Sequence, residues 1–299
     1  MDVGELDLAP LTEPAGRAAV QRARERSREQ GLARHEAVGG CVLIGLVFVA
    51  CGLGALIFGA LWGPLGAALP VIVGIVATSF VVVATRRRAG AGRIRRYRLQ
   101  RFAERNGARY LPRVSDPERP GRIFGIGSVA VSNDVVRFDG AREIEVGNHA
   151  YSTGYRDSVR MSWGYASATL KHEAPRCTVD LRRRGAAARQ TPPAPLDVAL
   201  GDVDLAGLEH GGELAARFAV SSRIGRSETV RELLGRTVFV PELVERVTAR
   251  GLDLEIVEDR LILTSPEQLS SDDPETWRWL LPLLVEIADA IDAALGPAD

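Results

Sequence analysis

Hydrophobic positions follow two different patterns along the chain, and the change from one to the other falls near residue 107. Residues 37–85 carry no charged side chain, and this run is closed by three consecutive arginines. Beyond residue 107, apolar residues instead alternate with polar ones in short runs separated by Gly, Asn, Asp or Pro. The first pattern is typical of helices in an apolar environment, and the second is typical of an antiparallel sheet.

The uncharged run predicts a transmembrane helical hairpin. Each half is about as long as the roughly 20 residues that a helix needs to cross a bilayer. The first span is predicted for residues 38–61 and the second for 65–85, with Gly63 and Pro64 at the turn. Small residues recur at a spacing of four in both halves, which favours close helix packing within the hairpin or between two copies.

The distribution of arginine predicts the orientation of this hairpin. Arginines flank it on both sides, and none lies in the loop around Trp62. By the positive-inside bias, both termini should face the cytoplasm. The expected localisation is therefore the cell inner membrane, with two spans and a cytosolic domain after them.

A net charge of zero conceals an uneven distribution of charge. Residues 1–110 carry 16 basic and 8 acidic side chains, whereas residues 111–299 carry 22 and 30. The basic cluster after the hairpin is predicted to face lipid, with anionic headgroups as candidate partners at about 1 kcal/mol per arginine. The alternative is that these arginines only set topology. The predicted lipid-facing residues are Arg86, Arg87, Arg88, Arg93, Arg95, Arg96 and Arg98.

After the hairpin, the chain predicts an α+β fold in which an antiparallel sheet packs against helices. Asp273 should cap a C-terminal helix over 274–295, whose apolar stripe should pack on a hairpin within 252–263. The predicted divisions are an arginine-rich flexible segment (1–36), the transmembrane hairpin (37–85), a basic juxtamembrane helix (86–107), a β-rich half (108–182), a Pro/Ala/Gly-rich linker (183–212) and an α/β half (213–299).

Three phrases of the sequence resemble a known family. They are Leu99-Gln-Arg-Phe-Ala-Glu-Arg-Asn-Gly107, Arg217-Phe-Ala-Val220 and Leu254-Glu-Ile-Val-Glu-Asp-Arg-Leu-Ile-Leu263. In these phrases and in the order of its parts, the chain resembles a family of uncharacterised actinobacterial integral membrane proteins. The resemblance implies two N-terminal membrane helices followed by a cytoplasmic α/β domain. It implies no activity, cofactor or catalytic residue.

The sequence contains no recognisable catalytic or metal-binding motif. Its four histidines are scattered without cysteine ligands, so each is interpreted as a surface residue, and no metal or cofactor is predicted. Carboxylates around Glu255 and Asp273 could form a cation site or an acid/base pair, but a solvated turn and a helix cap are favoured. The aromatic strand at Trp163 and Tyr165 could line a ligand groove, although core packing is favoured.

We therefore expect a membrane-anchored binding or scaffolding module and not an enzyme. One alternative is an accessory subunit of a membrane transport or envelope-synthesis complex, and another is an enzyme with an unrecognised site. The expected partners are the lipid bilayer and either other proteins or a second copy bound through the hairpin. A nucleic-acid partner is not expected, because the arginine cluster lacks a docking motif and interleaved aromatic residues.

Overall fold

The structure is a computed structural model that describes residues 6–29, 38–127, 129–153, 159–183, 192–193 and 199–296. The chain forms two compact units. The first contains Met1–Pro14 and Arg98–Asp299, and the second contains Ala15–Tyr97. The first unit is an antiparallel sheet packed with helices, so the predicted α+β class is confirmed.

One sheet of nine strands organises the first unit. The strands are β1 (Arg109–Ser115), β2 (Val129–Phe138), β3 (Ile144–Thr153), β4 (Val159–Thr169), β5 (Cys177–Leu181), β6 (Leu200–Asp202), β7 (Phe218–Arg223), β8 (Asp253–Val257) and β9 (Arg260–Ser265). Their order across the sheet is β1-β2-β3-β4-β9-β8-β5-β7-β6, with antiparallel pairing between neighbours. Strands from both predicted halves, 108–182 and 213–299, therefore share one sheet.

The described residues also form six α-helices. They are α1 (Arg17–Glu29), α2 (Val38–Arg105), α3 (Gly211–Arg217), α4 (Ser227–Thr237), α5 (Pro241–Ala249) and α6 (Pro274–Leu295). The side chain of Asp273 accepts a hydrogen bond from the backbone N–H of Glu275 at 3.1 Å, which confirms the predicted cap of α6. The segment before β7 forms α3 because its Glu, Leu, Ala and Arg residues favour helix.

The two faces of the sheet differ in chemistry. Since side chains alternate along a strand, Val146 and Leu254 point to one face, where they join the main apolar core with α4 and α6. The predicted stripe of α6 is buried in that core, including Trp277 and Leu284. The opposite face, called the polar face below, carries Arg137, Glu145, Ser132, His149, Trp163, Tyr165, Asp180, Asp253 and Glu255.

The prediction of a transmembrane hairpin is wrong. A membrane-crossing helix needs about 20 consecutive apolar residues, and no helix among the described residues is long and apolar enough to provide them. This finding also overturns the inner-membrane localisation with two spans and both termini in the cytoplasm.

The helical reversal itself is present within the second unit. Gly63 has a φ of +71°, which glycine adopts without strain, in the middle of α2. The chain then folds back on itself, since a β-carbon at Gly74 would lie 2.7 Å from the Sγ atom of Cys51. A β-carbon at Gly54 would likewise lie 3.3 Å from the β-carbon of Pro70. The small residues therefore allow close packing between the two parts of α2 before and after Gly63, which are called the arms below.

The N-terminal segment contributes to the first unit. Leu11 is fully buried in the main core together with Leu99 and Phe102. The backbone N–H of Asp7 donates to the Asn106 amide oxygen at 2.8 Å, and the Asn106 amide donates back to the Asp7 carbonyl at 3.0 Å. Part of the segment that the sequence assigned to a flexible region thus packs on the end of α2.

We predict that Leu11→Ala lowers the free energy of unfolding by about 2 to 5 kcal/mol, because it leaves a cavity in the core. Glu13→Ala is the matched control two residues away; its exposed side chain should contribute less than about 0.5 kcal/mol. Urea unfolding of the full chain measures both values. Similar small effects of the two substitutions would show that the N-terminal segment is not part of the core.

Candidate functional site

Charged side chains of the polar face are buried in pairs beneath residues 116–127, called the covering loop below. Arg122 of this loop makes a two-contact ion pair with Asp180, one contact being 2.9 Å long. Its backbone N–H donates to the Oε2 atom of Glu255 at 2.8 Å. Because an unpaired buried charge costs several kcal/mol, these contacts fasten the loop to the sheet.

A second group of charges surrounds Glu145. Its carboxylate accepts hydrogen bonds from Arg137 at 2.6 and 2.9 Å, and it is also paired with Arg119 of the covering loop. The hydroxyl of Tyr165 donates to the other carboxylate oxygen at 2.8 Å. Further along the face, Asp253 accepts two hydrogen bonds of 2.9 Å from Arg183. The arginines thus balance the buried carboxylates within the protein.

Burial raises the pKa of two carboxyl groups at this face, those of Glu255 and Asp253. It raises the pKa of Glu255, whereas the backbone N–H of Arg122 and the charges of Arg122 and Arg176 lower it in part. Burial likewise raises the pKa of Asp253, and its hydrogen bonds from Arg183 oppose the shift. Glu255 is therefore a buried ion-pair partner and not the solvated turn residue that was expected.

Aromatic rings occupy the part of the polar face under Phe124 of the covering loop. The ring centroid of Phe124 lies 4.8 Å from that of His149 and 5.1 Å from that of Tyr165. Trp163 and Tyr151 belong to the same small apolar cluster, and Trp163 is only 1% exposed. The aromatic strand singled out in the sequence is thus covered by the loop and packed.

Two nitrogen atoms in this cluster have no hydrogen-bond partner among the described residues. They are Nε2 of His149 and Nε1 of Trp163. His149 and Trp163 lie directly opposite each other in β3 and β4, so both side chains are on the polar face. The interpretation of His149 as a surface residue is wrong, because its ring is fully buried between strand neighbours and the loop.

The His149 ring has one hydrogen-bond partner among the described residues. Its Nδ1 atom lies 3.0 Å from the hydroxyl oxygen of Ser132, and the ring tautomer decides which of the two atoms donates. On the same face, Tyr165 donates its hydroxyl proton to Glu145.

Burial lowers the pKa of His149 to about 4, and a backbone interaction with Ile123 opposes the shift only in part. That interaction lacks the geometry of a hydrogen bond to Nε2. Burial and the neighbouring Glu145 raise the pKa of Tyr165 well above 10. Both side chains are accordingly neutral at physiological pH.

The predicted lipid-facing arginines do not form part of this site. Arg98 pairs with Asp272 at 2.9 Å within the first unit, and Arg93, Arg95 and Arg96 also have interaction partners. Arg87 is exposed, while the side chains of Arg86 and Arg88 lie outside the described part of the chain. Binding of this cluster to anionic lipid stays a prediction.

The arms of the second unit expose many large apolar side chains, with Leu56 73% and Phe80 74% exposed. Contiguous apolar surfaces of this kind mark interaction sites in folded proteins. Association with a protein partner or a second copy through these arms therefore stays a prediction. The surface itself does not specify which partner covers it.

A separate cleft of about 170 Å³ lies between α3 and α5. Its lining combines apolar Leu214 and Phe239 with the acidic side chains of Glu209 and Glu213. Arg217 also lines it and is paired with Glu245. Neither this cleft nor any other part of the described chain brings together three His, Cys, Asp or Glu that could hold a metal ion.

We predict that His149 makes stability depend on pH. The folded protein keeps the ring neutral down to about pH 4, whereas the unfolded chain binds a proton below the ordinary pKa of 6.5. Burial of the neutral ring therefore contributes fully to the free energy of unfolding above pH 6.5, and this contribution is lost as pH falls toward 4. The free energy of unfolding should decrease by about 2 kcal/mol between pH 7 and pH 5 for this reason. Urea unfolding at both values should show this loss, and His149→Gln should show less of it. Identical pH dependence of the two proteins would contradict the assignment.

No protein-family model, curated protein or solved structure matches this chain. The resemblance to actinobacterial membrane proteins therefore stays a prediction.

Proposed function

We propose that this chain is a non-enzymatic binding module whose ligand site lies on the polar face beneath the covering loop. The observation that carries the proposal is the adjacent pair of buried nitrogens, Nε2 of His149 and Nε1 of Trp163, which no described residue pairs. The proposal retains the binding function expected from the sequence, without its membrane anchor. The accessory-subunit and enzyme alternatives have no specific feature of the structure in their favour.

Unpaired buried nitrogens are costly in a folded protein. Leaving one polar group without a partner costs about 1 to 3 kcal/mol, and more than nine in ten such groups are paired in native structures. Two unpaired groups opposite each other in adjacent strands indicate a place where a bound molecule completes the hydrogen bonding. The aromatic rings of Phe124, Tyr151 and Tyr165 would supply apolar walls to that molecule.

The covering loop has the composition of a segment that can open. Its glycines Gly121, Gly125 and Gly127 have φ values of +117°, +71° and +82°, so its path depends on turns that other residues would strain. Among the described residues, the loop is held by the small apolar cluster around Phe124, by the ion pairs of Arg119 and Arg122, and by backbone hydrogen bonds from Arg122 to Glu255 and from Asp116 to Ala130. Exchanging Phe124 for a ligand ring would preserve the packing on His149.

The chemistry of the site favours recognition over catalysis. A general acid or base works best when its pKa lies near the pH of the reaction. The pKa of His149 is about 4 and that of Tyr165 is well above 10, so neither group exchanges protons readily near neutrality. The hydroxyl proton of Tyr165 is also committed to its hydrogen bond with Glu145.

The test is a titration of the full chain with benzamide, a flat probe that carries both hydrogen-bond donors and an acceptor. With ¹⁵N-labelled tryptophan, the indole N–H resonance of Trp163 should shift saturably, because the probe pairs a previously unpaired donor. The resonance of Trp279, which lies under Arg250, should not shift. Hydrogen exchange of the covering loop should slow in the same titration.

Two matched substitutions complete this test. Trp163→Phe removes the donor and should weaken benzamide binding at least tenfold, whereas Trp279→Phe makes the same chemical change elsewhere and should leave binding unchanged. Thermal unfolding verifies that both variants fold. An absence of saturable shift, or equal shifts of all tryptophan resonances, would overturn the proposed function.

A further inference from the structure

We infer that the cleft between α3 and α5 binds an arginine side chain that projects from a partner protein. The cleft is built from other elements than the site under the covering loop, and it does not depend on the ligand proposed there. Its apolar floor, its acidic rim and its small volume together indicate this occupant.

The floor of the cleft is apolar and held in place by the core. Leu214 of α3 and Val244 of α5 line it and are buried. Phe239 also lines it, and its ring packs on that of Phe218 with 5.6 Å between the centroids. Such a floor accepts the methylene stem of a long basic side chain, because arginine and lysine bury their stems on apolar surface and keep the charge at the rim.

The rim of the cleft carries more negative than positive charge. Three glutamates line it, and the one arginine there, Arg217, is paired with Glu245. The other two, Glu209 and Glu213, form no ion pair with an arginine or lysine among the described residues; Glu209 lies 3.7 Å from Nε2 of His210. Because residues 111–299 carry 22 basic and 30 acidic side chains, the surrounding field also favours a cation.

The volume of the cleft limits the occupant to one side chain. It is about 170 Å³, whereas pockets for drug-sized ligands measure about 300 to 1,000 Å³ and a cavity of about 150 Å³ holds benzene. The rest of a larger ligand would therefore lie outside the cleft. A metal ion is a poorer occupant, because the described residues nowhere bring together three His, Cys, Asp or Glu that could hold one.

A guanidinium group suits this lining better than an ammonium group. Arginine presents five N–H donors in a planar fork, is weakly hydrated and stacks on aromatic rings, whereas lysine is a strongly hydrated point charge. The carboxylates of Glu209 and Glu213 can accept hydrogen bonds from that fork, and Phe239 offers a ring. Arginine is also one of the residues that most often anchor protein interfaces, which favours a protein as its source.

The experiment compares three capped peptides, acetyl-Gly-Arg-Gly-amide and its citrulline and lysine counterparts. Citrulline keeps the shape of arginine but replaces the charged guanidinium by a neutral urea group. Each peptide is titrated into the full chain with labelled leucine and valine methyl groups. The methyl resonances of Leu214 and Val244 should shift saturably with the arginine peptide, while those of Leu263 in the main core should not.

We expect the arginine peptide to bind at least fivefold more tightly than the citrulline peptide and at least threefold more tightly than the lysine peptide. Equal affinity of the arginine and citrulline peptides would overturn the inference, because the charge at the rim would then not contribute. Equal affinity of the arginine and lysine peptides would overturn the assignment of a guanidinium group. An absence of saturable shift at Leu214 and Val244 would overturn the site itself.

Two matched substitutions locate the binding charge. Glu213→Gln removes one carboxylate of the rim and should weaken binding of the arginine peptide at least threefold. Glu242→Gln makes the same change at an exposed position of α5 outside the lining and should change the affinity less than 1.5-fold. Thermal unfolding verifies that both variants fold. Equal weakening by the two substitutions would show a diffuse attraction to the acidic surface and would overturn the inference.

Discussion

Compensation of buried charge on the polar face is the constraint on which the first unit depends. A sheet with helices on one side can leave its other side in water, but here the covering loop closes over Glu255 and Glu145. Each carboxylate must then be paired inside the protein, because desolvation of a charge costs more than most single interactions return. The two-contact pair of Arg122 with Asp180 meets this requirement and also fixes the position of the loop.

The same arrangement accounts for the aromatic cluster under the loop. With the charges paired around it, the region of His149 and Trp163 is buried and uncharged. Two nitrogens remain without a hydrogen-bond partner there among the described residues, as do Nε of Arg122 and Oε1 of Glu255 elsewhere on the polar face. The charged pairs thus fix the position of the covering loop on the sheet. The nitrogens without a partner are the basis of the proposed binding function.

Periodicity in the sequence predicted much of this fold. It placed the hairpin of β8 and β9, and α6 with its cap at Asp273, because local patterns and caps determine these elements. It also placed the helical reversal at Gly63, but the uncharged run led to a wrong assignment of membrane spans. Apolar residues and glycine also follow each other over 123–127, yet these residues belong to the covering loop and β2 begins only at Val129. The burial and the partners of His149 and Glu255 could not be predicted from the sequence, because they depend on contacts between strands and a loop that are distant in sequence.

A double-mutant cycle tests the central claim most directly. Arg122→Met, Asp180→Asn and the double variant are compared with the unsubstituted chain by urea unfolding at pH 7. If charge compensation holds the covering loop, each single substitution leaves an unpaired group, and the double variant should be more stable than additivity predicts by at least about 1 kcal/mol. Additive effects within about 0.3 kcal/mol would contradict the account, because the pair would then contribute nothing that its members do not contribute alone.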